Sequence, residues 1–274
     1  MYKLVYDSRE SQKGPLGTLK LVSLRFPLFL TLLKFELLTK YKKSVLGLFW
    51  SFLNPLMISS VIYFVFGKLF NSYMPLNRGY GTYVVSGVLL QLLLLQGMTA
   101  CSGALQAALP MIVKNRVEPG LQVLVSSSAH AMHFTIGATS LIPLALLSHQ
   151  PISLRVLLLP FFICLAILLI AGFGMLLVPW FLRYDDAQFL FNAFLMIVGY
   201  LTPIFYPISI LNETMRTLVM FNPMTHWIIV FRWLFFDNQE VVASNLLVVI
   251  ATSLLSFALG VRSLRKKWNA MVML

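Results

Sequence analysis

Six stretches of the chain run without a single Asp, Glu, Lys or Arg: 44–67, 79–113, 119–154, 156–182, 187–212 and 241–261. About 20 consecutive apolar residues in a helix rising ~1.5 Å each cover the ~30 Å hydrocarbon core of a bilayer, and every stretch meets that length. The stretches are continuously apolar, whereas the strands of a transmembrane barrel alternate over segments of ~10 residues around a polar lumen. The pattern therefore predicts an all-α polytopic membrane protein with six transmembrane helices, at about 46–66, 83–109, 121–147, 156–182, 188–203 and 245–261.

Two segments break the pattern. Between residues 16 and 43 apolar and basic residues interleave, and the charge-free run 26–33 is too short to span. Leu28, Leu32, Phe35 and Leu38 recur at helical spacing while Lys34, Lys40 and Lys42 fall elsewhere, and Pro27 suits a first helical turn. Residues 1–43 are thus expected to form a polar tail followed by an amphipathic interfacial helix, and 44–274 a single transmembrane domain. The second irregular segment, about 204–236, is apolar but punctuated by Pro207 and Pro223, and the uncharged stretch between its Arg216 and Arg232 is only 15 residues long and broken by Asn222 and Pro223. A re-entrant helical hairpin fits it, because a seventh crossing would move the basic tail to the other side of the membrane.

The charge pattern gives the orientation. The chain of 274 residues is 59% hydrophobic and 11% charged, with net charge +12. All of its Lys and Arg except Lys68, Arg78, Arg155, Arg216 and Arg232 fall on the side of the amino terminus. That bias predicts both termini in the cytoplasm of a multi-pass protein of the bacterial cytoplasmic (inner) membrane. Attraction to anionic membrane lipids accounts for the positive charge, and no nucleic-acid partner is expected. No cleavable signal peptide is expected, since the first 25 residues lack an apolar run of ~7–15 residues. Cys101 and Cys164 fall inside spans and read as small buried residues.

The chemistry is sparse. No Gly-x-x-x-x-Gly-Lys-Ser/Thr phosphate loop, His-Glu-x-x-His, Cys-x-x-Cys or Gly-x-Ser-x-Gly pattern occurs, so the chain is expected to be no enzyme and to carry no cofactor or metal of its own. The spans lack the ionised residues that usually mark ion-coupled carriers. His130 and His133 share a helix face but have no carboxylate beside them, and polar helix contacts are the expectation. Gly97, Ala100, Gly103, Ala104 and Ala107 predict close helix packing in the second span. Uncharged aromatics remain: Tyr63, Phe66, Tyr83, Phe191, Tyr200, Phe205 and Tyr206 could line a channel in which rings stack on sugar faces.

Thr39-Lys40-Tyr41-Lys42-Lys43-Ser44-Val45-Leu46-Gly47, continued by Leu48-Phe49-Trp50 and Asn54-Pro55, resembles the opening signature of ABC-type polysaccharide export permeases. These carry O-antigen, teichoic acid and related lipid-linked glycans. Arg183-Tyr184-Asp185-Asp186, the segment 201–207 with Pro203 and Pro207, and Asn222-Pro223-Met224 with Phe231-Arg232 are similar to further motifs of that family, in the same order.

The resemblance implies a homodimer joined to two copies of a separate ABC ATPase subunit, which would hold ATP and Mg, exporting a polyprenyl-diphosphate-linked glycan. It implies that substrate is admitted near Lys40, Tyr41, Lys42, Lys43, Ser44, Leu46, Gly47 and Trp50. The ATPase would be coupled through Lys114, Asn115, Arg116, Glu118 and Pro119. Arg183, Asp185 and Asp186 would form a cytoplasmic turn, and Pro203, Pro207, Asn222 and Pro223 would shape the re-entrant hairpin. The competing expectations are an ABC-type exporter permease for a small amphiphile, drug or lipid, and a membrane scaffold that transports nothing.

Overall fold

The computed structural model describes residues 25–70, 79–115, 118–184, 186–237 and 241–272. Its helices are α1 (Phe26–Tyr41), α2 (Trp50–Phe70), α3 (Tyr80–Gln91), α4 (Gly97–Asn115), α5 (Pro119–Ala138), α6 (Leu141–Leu147), α7 (Leu159–Arg183), α8 (Ala187–Leu201), α9 (Glu213–Phe221), α10 (Pro223–Phe235) and α11 (Ala243–Val272). A π-helical turn, Leu92–Gln96, joins α3 to α4. Among the described residues five continuous stretches have the length and apolarity to cross a bilayer: Gly47–Gly67, Tyr80–Ile112, Pro119–Leu147, Leu154–Arg183 and Ala243–Trp268. The chain is therefore an all-α polytopic membrane protein.

α8 is apolar but has only 15 residues, a length of about 22 Å. α9 and α10 are bent by 91° about Asn222. The break has a local cause. Asn222 Oδ1 accepts from the Met224 amide at 3.0 Å, capping α10, while Asn222 Nδ2 donates to Thr202 Oγ1 at 2.9 Å and the Val198 carbonyl at 3.3 Å. One side chain thus starts α10 and ties it to the end of α8.

The crossings alternate, so the structure has a basic end, carrying Lys40, Lys114, Arg183 and Arg265, and an opposite end with the breaks around residues 149, 203 and 237. α7 and α11 run side by side and touch backbone to backbone at Gly172 and Gly260, where a methyl group on either would collide with the other helix. Small residues let membrane helices approach this closely. In the second span Gly97 packs on Ile170, while a Cβ on Gly103 would meet nothing; close packing is thus confined to part of the small-residue series. The centre of the core is aromatic: Trp227 and Phe231 of α10 are fully buried, with ring centroids 5.1 and 5.6 Å from Phe162.

α1 is present, with a docking contact that the sequence pattern does not show. Phe35 and Leu38 point outward, 67% and 62% exposed, while Glu36 turns inward onto α5. Its carboxylate accepts from Ser126 Oγ at 2.6 Å and Gln122 Nε2 at 3.4 Å. Satisfying a carboxylate in the bundle outweighs placing these two apolar side chains there, because the outer face of the helix can meet lipid instead. Cys101 is buried as expected, whereas Cys164 is exposed on the outside of α7. A thiol is apolar enough to face acyl chains.

A polar cavity between the interfacial helix and the first span

At the basic end, a cavity of about 290 Å³ lies where α1 ends and α2 begins. Its polar walls are Lys40, Ser51, Asn54, Gln96, His130 and His133, with Trp50 at the rim, 42% exposed. Each element delivers its residue for a local reason. Lys40 sits one turn beyond Glu36, so the carboxylate that docks α1 also aims Lys40. Gln96 comes from the π turn, whose extra residue rotates Leu92, Leu93 and Gln96 toward the cavity before α4 resumes. Ser51 and Asn54 occupy the first turn of α2, where Pro55 breaks the backbone ladder.

The two histidines are held by different partners. His133 Nδ1 lies 3.0 Å from Ser51 Oγ, and His130 Nδ1 lies 3.0 Å from the Ser126 carbonyl, one turn back on its own helix. With His130 Nδ1 donating to that carbonyl, Nε2 is left as the acceptor in the cavity. Their rings meet edge to face at 6.2 Å. Polar helix contacts were the expectation, and both are found. The proximity of Lys40 was not visible in the sequence, because it comes from a helix some 90 positions away.

Burial pulls the pKa of Lys40 below the ordinary lysine range, with Glu36 opposing the shift. Burial likewise raises that of Glu36, against the Ser126 hydrogen bond and the Lys40 charge. The Lys40 ammonium, set beside imidazole, amide and hydroxyl donors, gives the cavity the chemistry to take an anionic group that accepts several hydrogen bonds. No group of three or more His, Cys, Asp or Glu suited to a metal occurs among the described residues.

Of the other residues in the opening signature, Lys42, Lys43 and Leu46 are exposed, outside the cavity. Ser44 Oγ accepts from the Gly47 amide at 3.0 Å, and Gly47 has φ +50°, a left-handed turn that suits glycine and leads the chain from α1 into α2. The side chains of Tyr41 and Asn115, and all of Arg116 and Asp185, lie outside the described residues.

The aromatics predicted for a channel separate into two groups. Tyr83, Phe205, Tyr206 and Tyr200 come together at the opposite end, where they brace the unwound segment after α8. Tyr83 Oη donates to the Pro203 and Tyr206 carbonyls at 3.1 and 2.8 Å, and Tyr206 Oη to the Leu201 carbonyl at 3.0 Å. Pro203 and Pro207 are buried in this segment, and Pro223 opens α10 exposed. The organiser is Arg232, 3% exposed, whose motif and far-side charge are visible in the sequence but whose contacts are not. Phe66 and Phe191 stay apart from this cluster: Phe66 is 39% exposed, and Phe191 packs with Phe181 and Phe194. Tyr63 faces Tyr80 at 6.1 Å.

At the basic end Lys114 is exposed, Pro119 is buried in the first turn of α5, and Glu118 is only 7% exposed. Burial raises the pKa of Glu118, while Arg265 of α11 and Arg25 ahead of α1 pull it down. The loop's acid is thus turned toward the chain's own basic residues. Arg183 lies beside the Tyr184 ring, 5.6 Å from its centroid, and Asp186 is exposed at the start of α8.

Residues 27–236 match the family model described as ABC-2 type transporter. Among curated proteins, the chain is 23% identical over 220 residues to an O-antigen export system permease protein RfbA of Klebsiella pneumoniae, covering 78% of this chain and 82% of the relative. It is also 23% identical over 230 residues to the protein of the same name from Myxococcus xanthus, covering 82% and 86%. With a transmembrane helical fold throughout and the family model spanning most of its length, the chain belongs to the ABC-2 type transporters, as a permease subunit.

Proposed function

We propose that this chain is the membrane subunit of an ATP-driven exporter that carries a polyprenyl-diphosphate-linked cell-surface polysaccharide, such as O-antigen, across the bacterial inner membrane. One observation carries the reading: the cavity that sets Lys40, His130 and His133 among amides and hydroxyls, between an interfacial helix and the first span. A diphosphate at the headgroup level of the cytoplasmic leaflet would bring negative charge and acceptor oxygens to the Lys40 ammonium and the cavity's donors, while its polyprenyl chain stays in lipid beside α1. The likeness to permeases named for O-antigen export supports the glycan as cargo.

The basic end is the cytoplasmic one by the positive-inside bias. Energy would come from two copies of a separate ABC ATPase docked at the loop between α4 and α5, where Lys114 is exposed and Glu118 lies within the field of Arg265 on α11. A second copy of this chain would complete the pathway. α2 exposes Val61, Phe64 and Val65, and α8 exposes Phe189, Phe194 and Ile197. At about 22 Å, α8 falls short of a ~30 Å hydrocarbon core, so protein on its flank relieves the mismatch.

The test is transport into inverted membrane vesicles containing this chain and the ABC ATPase, with a polyprenyl-diphosphate-linked glycan in the outer leaflet. Nucleotide-dependent movement of the glycan into the lumen, lost in Lys40→Met, is expected. Transport without nucleotide would overturn the reading. ATPase stimulation by small amphiphiles but not by the glycan lipid would favour a drug or lipid exporter.

A further inference from the structure

The outer flank shared by α7 and α11 carries groups that neither the basic-end cavity nor the re-entrant segment uses. α11 packs on α7 and α10. The face it leaves uncovered carries Leu254, Leu255 and Leu259, followed by Arg262 and Lys266, all exposed. At helical spacing these positions form one stripe, apolar first and then cationic. The leucines precede Arg262 by about 12 Å of helix or less. That lies within the ~15 Å that one leaflet contributes to a ~30 Å hydrocarbon core.

Beside this stripe, two further cations are held on rings at the end of α7. Lys267 Nζ lies 5.1 Å from the Trp180 ring centroid, and the Arg183 guanidinium carbon 5.6 Å from that of Tyr184. The two rings stand 6.2 Å apart, tilted by 30°. Trp180 and Tyr184 are 53% and 49% exposed, and Arg183 and Lys267 are exposed with them. Indole and phenol rings settle at the headgroup level, and here each keeps a cation at that depth. A long side chain already held in place has less rotamer freedom to lose when it meets a ligand. Among the described residues no carboxylate pairs with Arg183, Arg262, Lys266 or Lys267. The negative pole at the end of α7 accounts for Arg183. It does not account for Lys266 and Lys267, which stand more than a turn before the end of α11.

We propose that this flank is a binding site for an anionic phospholipid, whose phosphodiester sits among Arg183, Lys266 and Lys267 while an acyl chain lies along Leu254, Leu255 and Leu259. Guanidinium and ammonium groups donate charge-assisted hydrogen bonds to phosphate oxygens. A zwitterionic headgroup brings a cation of its own against these, and a free phosphate has no chain to lay on the leucines. The basic end as a whole attracts anionic lipid through its surface potential. What sets this flank apart is the pair of ring-held cations next to an uncovered apolar track. The site shares no residue with the Lys40 cavity, and binding is measured without ATPase or glycan, so its failure leaves the export reading untouched.

The experiment places the full chain in phosphatidylcholine nanodiscs and replaces part of the lipid with phosphatidylglycerol or phosphatidylcholine brominated near the carboxyl end of the acyl chains. Bromine quenches a tryptophan it touches, and the Trp180 signal is the difference between the chain and Trp180→Phe. Brominated phosphatidylglycerol is expected to quench Trp180 with a preference of roughly tenfold or more over brominated phosphatidylcholine. Arg183→Gln with Lys267→Gln should lower that preference at least about fivefold. Arg183→Lys with Lys267→Arg keeps both charges and should retain most of it. Lys34→Gln with Lys42→Gln removes the same charge from exposed positions around α1, and screening should hold its effect below about twofold. Equal quenching by the two brominated lipids would overturn the site. So would an equal loss from either glutamine pair, the mark of a diffuse surface potential, or relief of quenching by soluble glycerol phosphate, which would make these cations a site for free phosphate.

Discussion

Replacing Arg232 with methionine should unfasten the segment after α8 without dissolving the bundle. Arg232 Nε donates to Ser86 Oγ at 3.2 Å, Nη1 to the Pro203 carbonyl at 3.0 Å, and Nη2 to the Tyr83 and Ile204 carbonyls at 3.0 and 3.3 Å. Its guanidinium carbon lies 3.3 Å from the Tyr83 ring centroid. Hydrogen bonds inside membrane proteins average about 0.6 kcal/mol, so the four together supply roughly 2.4 kcal/mol. A desolvated cation–π contact adds about 2 kcal/mol. Removing the charge recovers part of its desolvation, leaving a net loss of about 2–3 kcal/mol, or roughly 30- to 150-fold in the folding equilibrium. Arg232→Lys should be worse than Arg232→Met, because an ammonium cannot reach the forked acceptors and would be buried with donors unmet. Equilibrium unfolding in mixed micelles reads the loss, and thiol labelling of Phe205→Cys in a Cys164→Ser background reads the release of the segment. A methionine variant within about 0.5 kcal/mol of the parent, with unchanged labelling, would refute the reasoning.

Other consequences follow from single contacts. Gly260→Leu would drive a side chain into the Gly172 backbone, and separating α7 from α11 should cost more than about 3 kcal/mol, seen as lost monodispersity in gel filtration. The docking of α1 should depend on pH: the docked state raises the Glu36 pKa and so binds more protons. Docking is then strongest below the ordinary glutamate value of ~4.3 and weakens as pH rises through the docked-state value. Spin-label distances between Leu38→Cys and Met132→Cys, in the Cys164→Ser background, should lengthen over that window, and Glu36→Gln should hold the short distance throughout. Asn222→Ala removes the α10 cap and the tether to Thr202; about 1–2 kcal/mol of stability should be lost in the same unfolding assay.

What could be read beforehand follows from the range of the forces involved. A span announces itself locally, because every residue of 156–182 must be tolerable to lipid, and α7 occupies that stretch. The bend between α9 and α10 was legible through Asn222 and Pro223, since a cap and a proline act within one turn. The apolar stripe of α1 was legible, but its docking contact was not. The bundle offers Ser126 and Gln122 as donors, and these draw Glu36 inward. The π turn at Leu92–Gln96 left no mark in a run of leucines, yet it sets Gln96. Arg232 was invisible as a clamp for a different reason: its acceptors are mostly backbone carbonyls, which carry no sequence signal. The grouping of Lys40 with His130 and His133 likewise depends on α1 folding back onto α5.

If the basic-end cavity receives the charged head of a lipid-linked glycan, photocrosslinking from its wall will capture that head. With p-benzoylphenylalanine at Leu92, a cavity-wall residue, a polyprenyl-diphosphate glycan should crosslink to the chain in the complete complex, compete with unlabelled polyprenyl diphosphate, fade in Lys40→Met, and be chased when ATP is added. Equal crosslinking from the outward-facing position Phe189, or labelling at Leu92 indifferent to both Lys40→Met and ATP, would contradict it.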